Sequence, residues 1–263
     1  MYNIVRHSSI KKDVFRIYTS PIFSGFSSRK ITVKKQNLIH NRKRSNSRAR
    51  RRIQELININ FESNFSFMTL TFRDNVTSIE IANKTFTSFI KRLKYYLKHK
   101  KNLKIDFKYI ATIETQKRGS IHYHLICNLP LYTNFTDVIN IWKKSINSNK
   151  DISLKDGTVK IKYSSNSDIQ ADNLGIYLTK YLTKNFNNQE FCGKKIYSTS
   201  RNLIKPERTN YMFNFENKKE INNKKIIKIL NSSFNLEPQN ITKTNVYKNP
   251  YTGEDIYYLE FKK

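Results

Sequence analysis

Apolar and polar positions alternate through FSFMTLTF, residues 65–72, where Met68, Leu70 and Phe72 fall to one side and Thr69 and Thr71 to the other. A period of two predicts a strand. The period changes over residues 77–101, where Ile81, Phe86, Phe89, Ile90, Leu93 and Leu97 recur near helical spacing and predict a long amphipathic helix. KIDFKYIATIE and SIHYHLICN, residues 104–114 and 120–128, then predict two strands flanking a short turn. A helix is expected at 134–147 around the only tryptophan, Trp142, a hairpin near Lys155 and Gly157, and a further helix at 168–186. Beyond it, YSTSRNLIKP is irregular, a Lys-rich helix is expected at 217–231, and NPYTGED suggests the turn of a last hairpin. Nearer the start, SRARRRIQELIN, residues 47–58, reads as a helix with a basic side and a thin Ile/Leu side. No internal repeat and no long linker interrupts the pattern.

Composition narrows the partners. With 263 residues, 38% of them hydrophobic, the chain can bury a real core. Lys plus Arg number 49 against 20 Asp plus Glu, a net charge of +29, which calls for a polyanion: nucleic acid first, an anionic membrane surface as the alternative. No apolar run is long enough to span a bilayer and the basic start lacks a signal-peptide core, so a cytoplasmic protein is expected. Two cysteines, Cys127 and Cys192, form neither a disulfide framework nor a zinc set and fit a reducing compartment. The densest charge is NRKRSNSRARRR, residues 41–52, with Arg42, Lys43, Arg44, Arg48, Arg50, Arg51 and Arg52. Such a run serves either as a solvated helix face or as a set of phosphate contacts.

The two strands at 104–128 carry the sharpest chemistry. A three-residue hairpin loop of Lys117, Arg118 and Gly119, with glycine in the left-handed position, sets a register in which Glu114 lies opposite His122 and Thr112 opposite His124. Alternate residues share a face, so Glu114, His122 and His124 project together, while Ala111, Ile113, Ile121, Tyr123, Leu125 and Cys127 form an apolar face for packing helices. One carboxylate and two imidazoles make a three-ligand set for a divalent cation. A slip of one residue would send Glu114 to the other face.

A second cluster is YLTKYLTK, residues 177–184. On a helix Tyr177, Lys180, Tyr181 and Lys184 form one stripe beside a Leu174, Leu178, Leu182 stripe that can bury. A phenol, with its pKa of about 10, is a weak nucleophile at neutral pH. A cation on the phosphate oxygens and nearby ammonium groups would let it attack phosphorus.

In this order, FMTLTF, then IHYHLI, then YLTKYLTK, the chain resembles the HUH endonuclease superfamily, and specifically the rolling-circle replication initiators of phages and plasmids. The resemblance covers residues 65–184, and YSTSRNLIKP beyond them also looks like the replication-associated branch. It implies an α+β fold with a central, mainly antiparallel five-stranded sheet and flanking helices. It implies an endonuclease core at 61–187 between a basic region at 1–60 and an extension at 188–263 that binds DNA or packs on the core. It implies a Mg or Mn ion on His122, His124 and Glu114, and a tyrosine that nicks single-stranded origin DNA, keeps the 5′ phosphate and leaves a 3′ hydroxyl as primer. Tyr177 and Tyr181 resemble the pair of the two-tyrosine initiators, with Lys180 and Lys184 as assistants; the sequence ranks neither tyrosine. No Gly-x-x-x-x-Gly-Lys-Ser/Thr loop occurs, so unwinding falls to a helicase of the bacterial host, and synthesis to its polymerase. A single-strand DNA transposase of the same superfamily has the same order of parts, and a nonenzymatic nucleic-acid binder would explain the charge alone. A relaxase fits less well, because its tyrosine normally precedes the histidines, and a zinc deaminase would need cysteine ligands.

Overall fold

A computed structural model describes residues 2–9, 12–22, 38–61, 65–100, 105–164, 178, 197–214, 221–249 and 253–263, with the backbone alone at 2, 21, 38–44 and 100. The chain divides into two compact units, one of residues 33–204 and one that joins 1–32 to 205–263. Both are built on a five-stranded antiparallel sheet, so the α+β expectation is met in the larger unit and a second sheet accompanies it.

In the larger unit, α1 (Leu38–Asn60) precedes β3 (Ser66–Phe72), α2 (Ile79–Tyr95), β4 (Tyr109–Thr115), β5 (Ile121–Cys127), α3 (Phe135–Asn147), β6 (Gly157–Tyr163) and β7 (Tyr197–Thr199). The sheet order is β6-β3-β5-β4-β7, which puts the histidine strand β5 in the centre, buried along its whole length. Ser78 caps α2 by accepting from the Ile81 N–H, and Asn134 caps α3 by accepting from Thr136 and Asp137. Both helices pack on the face that carries Tyr123: Phe86 stacks on it at 4.4 Å and its hydroxyl donates to Asn83 Oδ1 at 2.8 Å. Trp142 packs against Phe72 and Phe89 and donates from Nε1 to the Thr71 carbonyl at 3.1 Å. Gly157 makes this fit possible, because a Cβ there would stand 2.5 Å from that carbonyl and 2.7 Å from the indole nitrogen. Burial pushes the Cys127 thiol up to about 12, so it is an inert core residue.

Several expectations are corrected here. The long helix ends at Tyr95 and continues as one π turn, Tyr96–Lys100. No hairpin forms at Lys155 and Gly157; Gly157 starts β6, which pairs with β3, distant in sequence. YST of YSTSRNLIKP is β7, paired with β4. Both pairings are non-local and leave no turn signal beside them. The expected helix at 168–186 lies outside the described residues except Leu178, which is helical and fully buried in the core of this unit.

The smaller unit holds β1 (Tyr2–Ser8), β2 (Lys12–Ile22), β8 (Glu207–Tyr211), α4 (Asn223–Phe234), β9 (Ile241–Lys248) and β10 (Asp255–Lys262) in sheet order β8-β1-β2-β10-β9. The last hairpin, β9 to β10, is where NPYTGED placed it, and the Lys-rich helix sits at 223–234 rather than 217–231. Phe15 packs against Phe234 and Phe261 to form its core. Asn3 ties its end by accepting from the Phe213 N–H at 2.8 Å and donating to the Phe213 carbonyl.

Candidate active site

The β4–β5 hairpin has the expected register: Glu114 opposes His122 and Thr112 opposes His124. Gly119 takes a φ of 87°, which a side chain rarely tolerates, and Gln116 and Ser120 close the loop with a 2.9 Å backbone hydrogen bond. Arg118 turns back from the loop and donates to the Phe72 carbonyl at 3.0 Å, tying the hairpin to the end of β3. On the other side of β5, Thr69 opposes His124 and Thr71 opposes His122. The histidine face of the sheet therefore carries Thr69, Thr71, Thr112, Glu114, His122 and His124 on three adjacent strands.

His124 is held from both ring nitrogens. Its Nε2 lies 2.6 Å from Glu114 Oε2 and its Nδ1 3.2 Å from Thr69 Oγ1, while Phe67 stacks on the ring. A neutral ring donates from one nitrogen and accepts at the other, and the threonine hydroxyl can serve either tautomer. His122 is different. It is 8% exposed, and its Nε2 is buried without a hydrogen-bond partner among the described residues. Burial, with some help from His124 and Arg118 and against the pull of Glu114, holds its pKa down at about 4, so the ring is neutral at pH 7. The Thr112 hydroxyl on the same face is also buried and unpaired among the described residues. An open pocket bordered by Glu114, Gln116, Lys117, Arg118 and His122 gives this end of the face access to solvent.

Among the described residues no three His, Cys, Asp or Glu side chains stand in metal-holding geometry. The donor set nevertheless suits a divalent cation. His122 is neutral, its lone-pair nitrogen is unclaimed, and one carboxylate lies opposite it. Sharing a cation with His122 requires Glu114 and His124 to exchange their mutual hydrogen bond for coordination, with Thr69 then accepting from Nδ1–H of His124.

Of the other sequence-derived site residues, Tyr177, Lys180, Tyr181 and Lys184 lie outside the described residues. Arg42, Lys43 and Arg44 are on the backbone of α1. Arg48, Arg50 and Arg51 are exposed, and Arg52 approaches Glu55 at 4.0 Å, on a helix whose Ile53, Leu56 and Ile57 are buried. Sequence reasoning passed over four residues of the histidine face. Lys160 and Lys162 are exposed on β6, with Lys160 opposite Thr69, and their alternation in TVKIKY is the signal that could have found them. Thr69 had no signal for its bond to His124. Tyr197, opposite Thr112, was hidden in a strand of three residues.

Residues 65–186 match a family model described as replication-associated protein, of the ORF2 type. That stretch, just under half of the chain, runs from the edge of β3 through the whole histidine face except β7, and the match supports a replication-associated role with DNA as the partner. No curated protein and no solved structure matches the chain. Among the described residues no helix is long and apolar enough to cross a membrane.

Proposed function

We propose that this protein initiates rolling-circle DNA replication by nicking and later rejoining a single strand at an origin, as an HUH-type endonuclease. The observation that carries the proposal is the histidine face itself, where a buried, neutral and unpartnered His122 nitrogen stands across the strand pair from Glu114 and beside His124. His122, His124 and Glu114 would hold Mg or Mn, which when bound draws charge from the phosphate oxygens. Tyr177 or Tyr181 attacks phosphorus through its phenol oxygen. A phosphotyrosine bond forms, the bond from phosphorus to the 3′ oxygen breaks, and that oxygen takes a proton to become the primer hydroxyl. Lys180 and Lys184 stabilise the phenolate and the transferring phosphoryl group. Burial of Leu178 supports this assignment, because on the helix expected there its neighbours in the tyrosine stripe are offset from the packed leucines. Lys117, Arg118, Lys160 and Lys162 supply phosphate contacts around the site, and Arg42, Lys43, Arg44, Arg48, Arg50, Arg51 and Arg52 bind flanking DNA.

The direct Glu114–His124 hydrogen bond favours a second reading, a nonenzymatic binder in which these groups only pair with each other. Incubation with a labelled pool of random single-stranded oligonucleotides and Mn separates the two. Nicking predicts a protein–DNA adduct that survives denaturing electrophoresis, disappears in chelator, and is lost in the double variant Tyr177→Phe/Tyr181→Phe but kept in Tyr197→Phe. Binding without any adduct in Mg or Mn overturns the enzyme proposal, and an adduct mapped to Tyr197 overturns the choice of nucleophile.

A further inference from the structure

A second site lies on the other side of the sheet. From Ile81 to Ile105 the sequence has eight Lys or Arg and no Asp or Glu. The apolar residues of α2 face the sheet, so its cations face outward. Where α2 meets α3, a pocket of about 690 Å³ is lined by Lys91, Arg92, Tyr95 and Lys144, with Tyr96 and Asp137 at its wall. This volume is within the usual range for a small-molecule site.

Lys91, Arg92 and Lys144 make no ion pair among the described residues. Asp137, the one carboxylate of the lining, already accepts a hydrogen bond from the Tyr96 hydroxyl at 2.5 Å, and three cations stand against it. Tyr95 is 62% exposed, and its ring lies 4.5 Å from that of His99 at a tilt of 32°. Its outward position adds nothing to the core, which Tyr96 and Leu97 serve instead. The helix changes to a π turn directly after it, an irregularity that is frequent at functional sites. An exposed aromatic ring among unpaired cations is the combination that binds unpaired nucleotides, the ring stacking on the base and the cations meeting the backbone.

We propose that this pocket seats an unpaired nucleotide of single-stranded DNA, with the base on Tyr95 and the adjoining phosphates on Lys91, Arg92 and Lys144. It is a strand contact separate from the histidine face, because the sheet itself lies between them. The contact needs neither the cation nor the tyrosine chemistry, so it is tested in chelator with the full chain, where failure of the nicking proposal leaves it untouched.

The probe is a labelled oligothymidylate of about a dozen nucleotides, comparable to the site sizes of known single-strand binders. Its affinity is measured by fluorescence anisotropy over a range of salt, with one iododeoxyuridine introduced for photocrosslinking. The crosslinked peptide is expected to contain Tyr95. Tyr95→Ala should weaken binding about tenfold and Tyr95→Phe should restore it, consistent with base stacking. Lys91→Ala/Arg92→Ala/Lys144→Ala should reduce the slope of log affinity against log salt by about 2, at about 0.7 per phosphate on a single strand. Crosslinks that map only elsewhere, a triple variant with the parental slope, or an equal loss of duplex binding in Tyr95→Ala would each overturn the proposal.

Discussion

The two faces of the central sheet treat their polar groups in opposite ways. On the helical face every large polar side chain that enters the core is matched: the Tyr123 hydroxyl by Asn83 and the Trp142 indole by a β3 carbonyl. On the histidine face, one strand residue away, the His122 Nε2 and the Thr112 hydroxyl are buried with no partner among the described residues. Leaving such a group unmade costs about 1–3 kcal/mol, which a purely structural position would have no reason to bear. The same strand, β5, contributes to both faces, so the difference comes from the side chains and what packs on them, not from the backbone. The face with matched groups holds the fold, and the face with an unclaimed imidazole is the one available for chemistry.

The largest effect should come from breaking the matched face. Trp142→Ala removes a fully buried indole, its contacts with Phe72 and Phe89, and the hydrogen bond to Thr71. A loss of about 3–5 kcal/mol is expected, read as a lower denaturant midpoint in the transition that reports on the tryptophan-bearing unit's own secondary structure. Adduct formation should fall only in proportion to the unfolded fraction. A midpoint within error of the parent would show that α3 is not anchored through this residue.

How much of this was legible beforehand follows from the range of the interactions involved. The hairpin was readable because its register depends on three adjacent loop residues and on alternation within two neighbouring strands, and Gly119 has the conformation that the loop requires. α2 and α3 were readable from their own periodicity. The sheet of the smaller unit was not: β1 and β2 lie at one end of the chain and pair with β8 and β10 from the other. Nothing local to residues 2–22 announces partners some two hundred positions away. Gly157 was mistaken for a turn residue because glycine marks turns and close approaches alike, and only Trp142 in place distinguishes them. In the site, the pattern indicated which side chains share a face. It could not show that Glu114 would reach diagonally to His124, leaving His122 bare, because that depends on rotamers and burial.

An intermediate effect on stability, with a large one on activity, is expected at the unmatched face. His122→Leu exchanges an unpartnered buried ring for an apolar side chain, so stability should move by no more than about 1 kcal/mol and can rise. Adduct formation should be lost. The variant also sharpens a pH signature, best measured in chelator. In the parent, the His122 ring protonates near 4 in the folded state and near the ordinary 6.5 in the unfolded state. Between those values the unfolded chain binds more protons. Stability therefore drops as pH falls below about 6.5 and this contribution levels off near 4. His122→Leu should flatten that part of the curve; an unchanged slope would mean that another group is responsible.

The smallest expected effect tests the matched face without opening a cavity. Tyr123→Phe keeps the ring that stacks on Phe86 and deletes only the hydroxyl that donates to Asn83. Asn83 is exposed, so water can take over its side-chain oxygen, and the net loss should stay near the value of one ordinary hydrogen bond, about 0.5–1.5 kcal/mol. Because residue 123 points away from its neighbours 122 and 124, metal-dependent adduct formation should be unchanged when measured well below the unfolding midpoint. A fall in activity as large as that of His122→Leu would mean that the helical face positions the histidines, and the separation of roles between the two faces would be wrong.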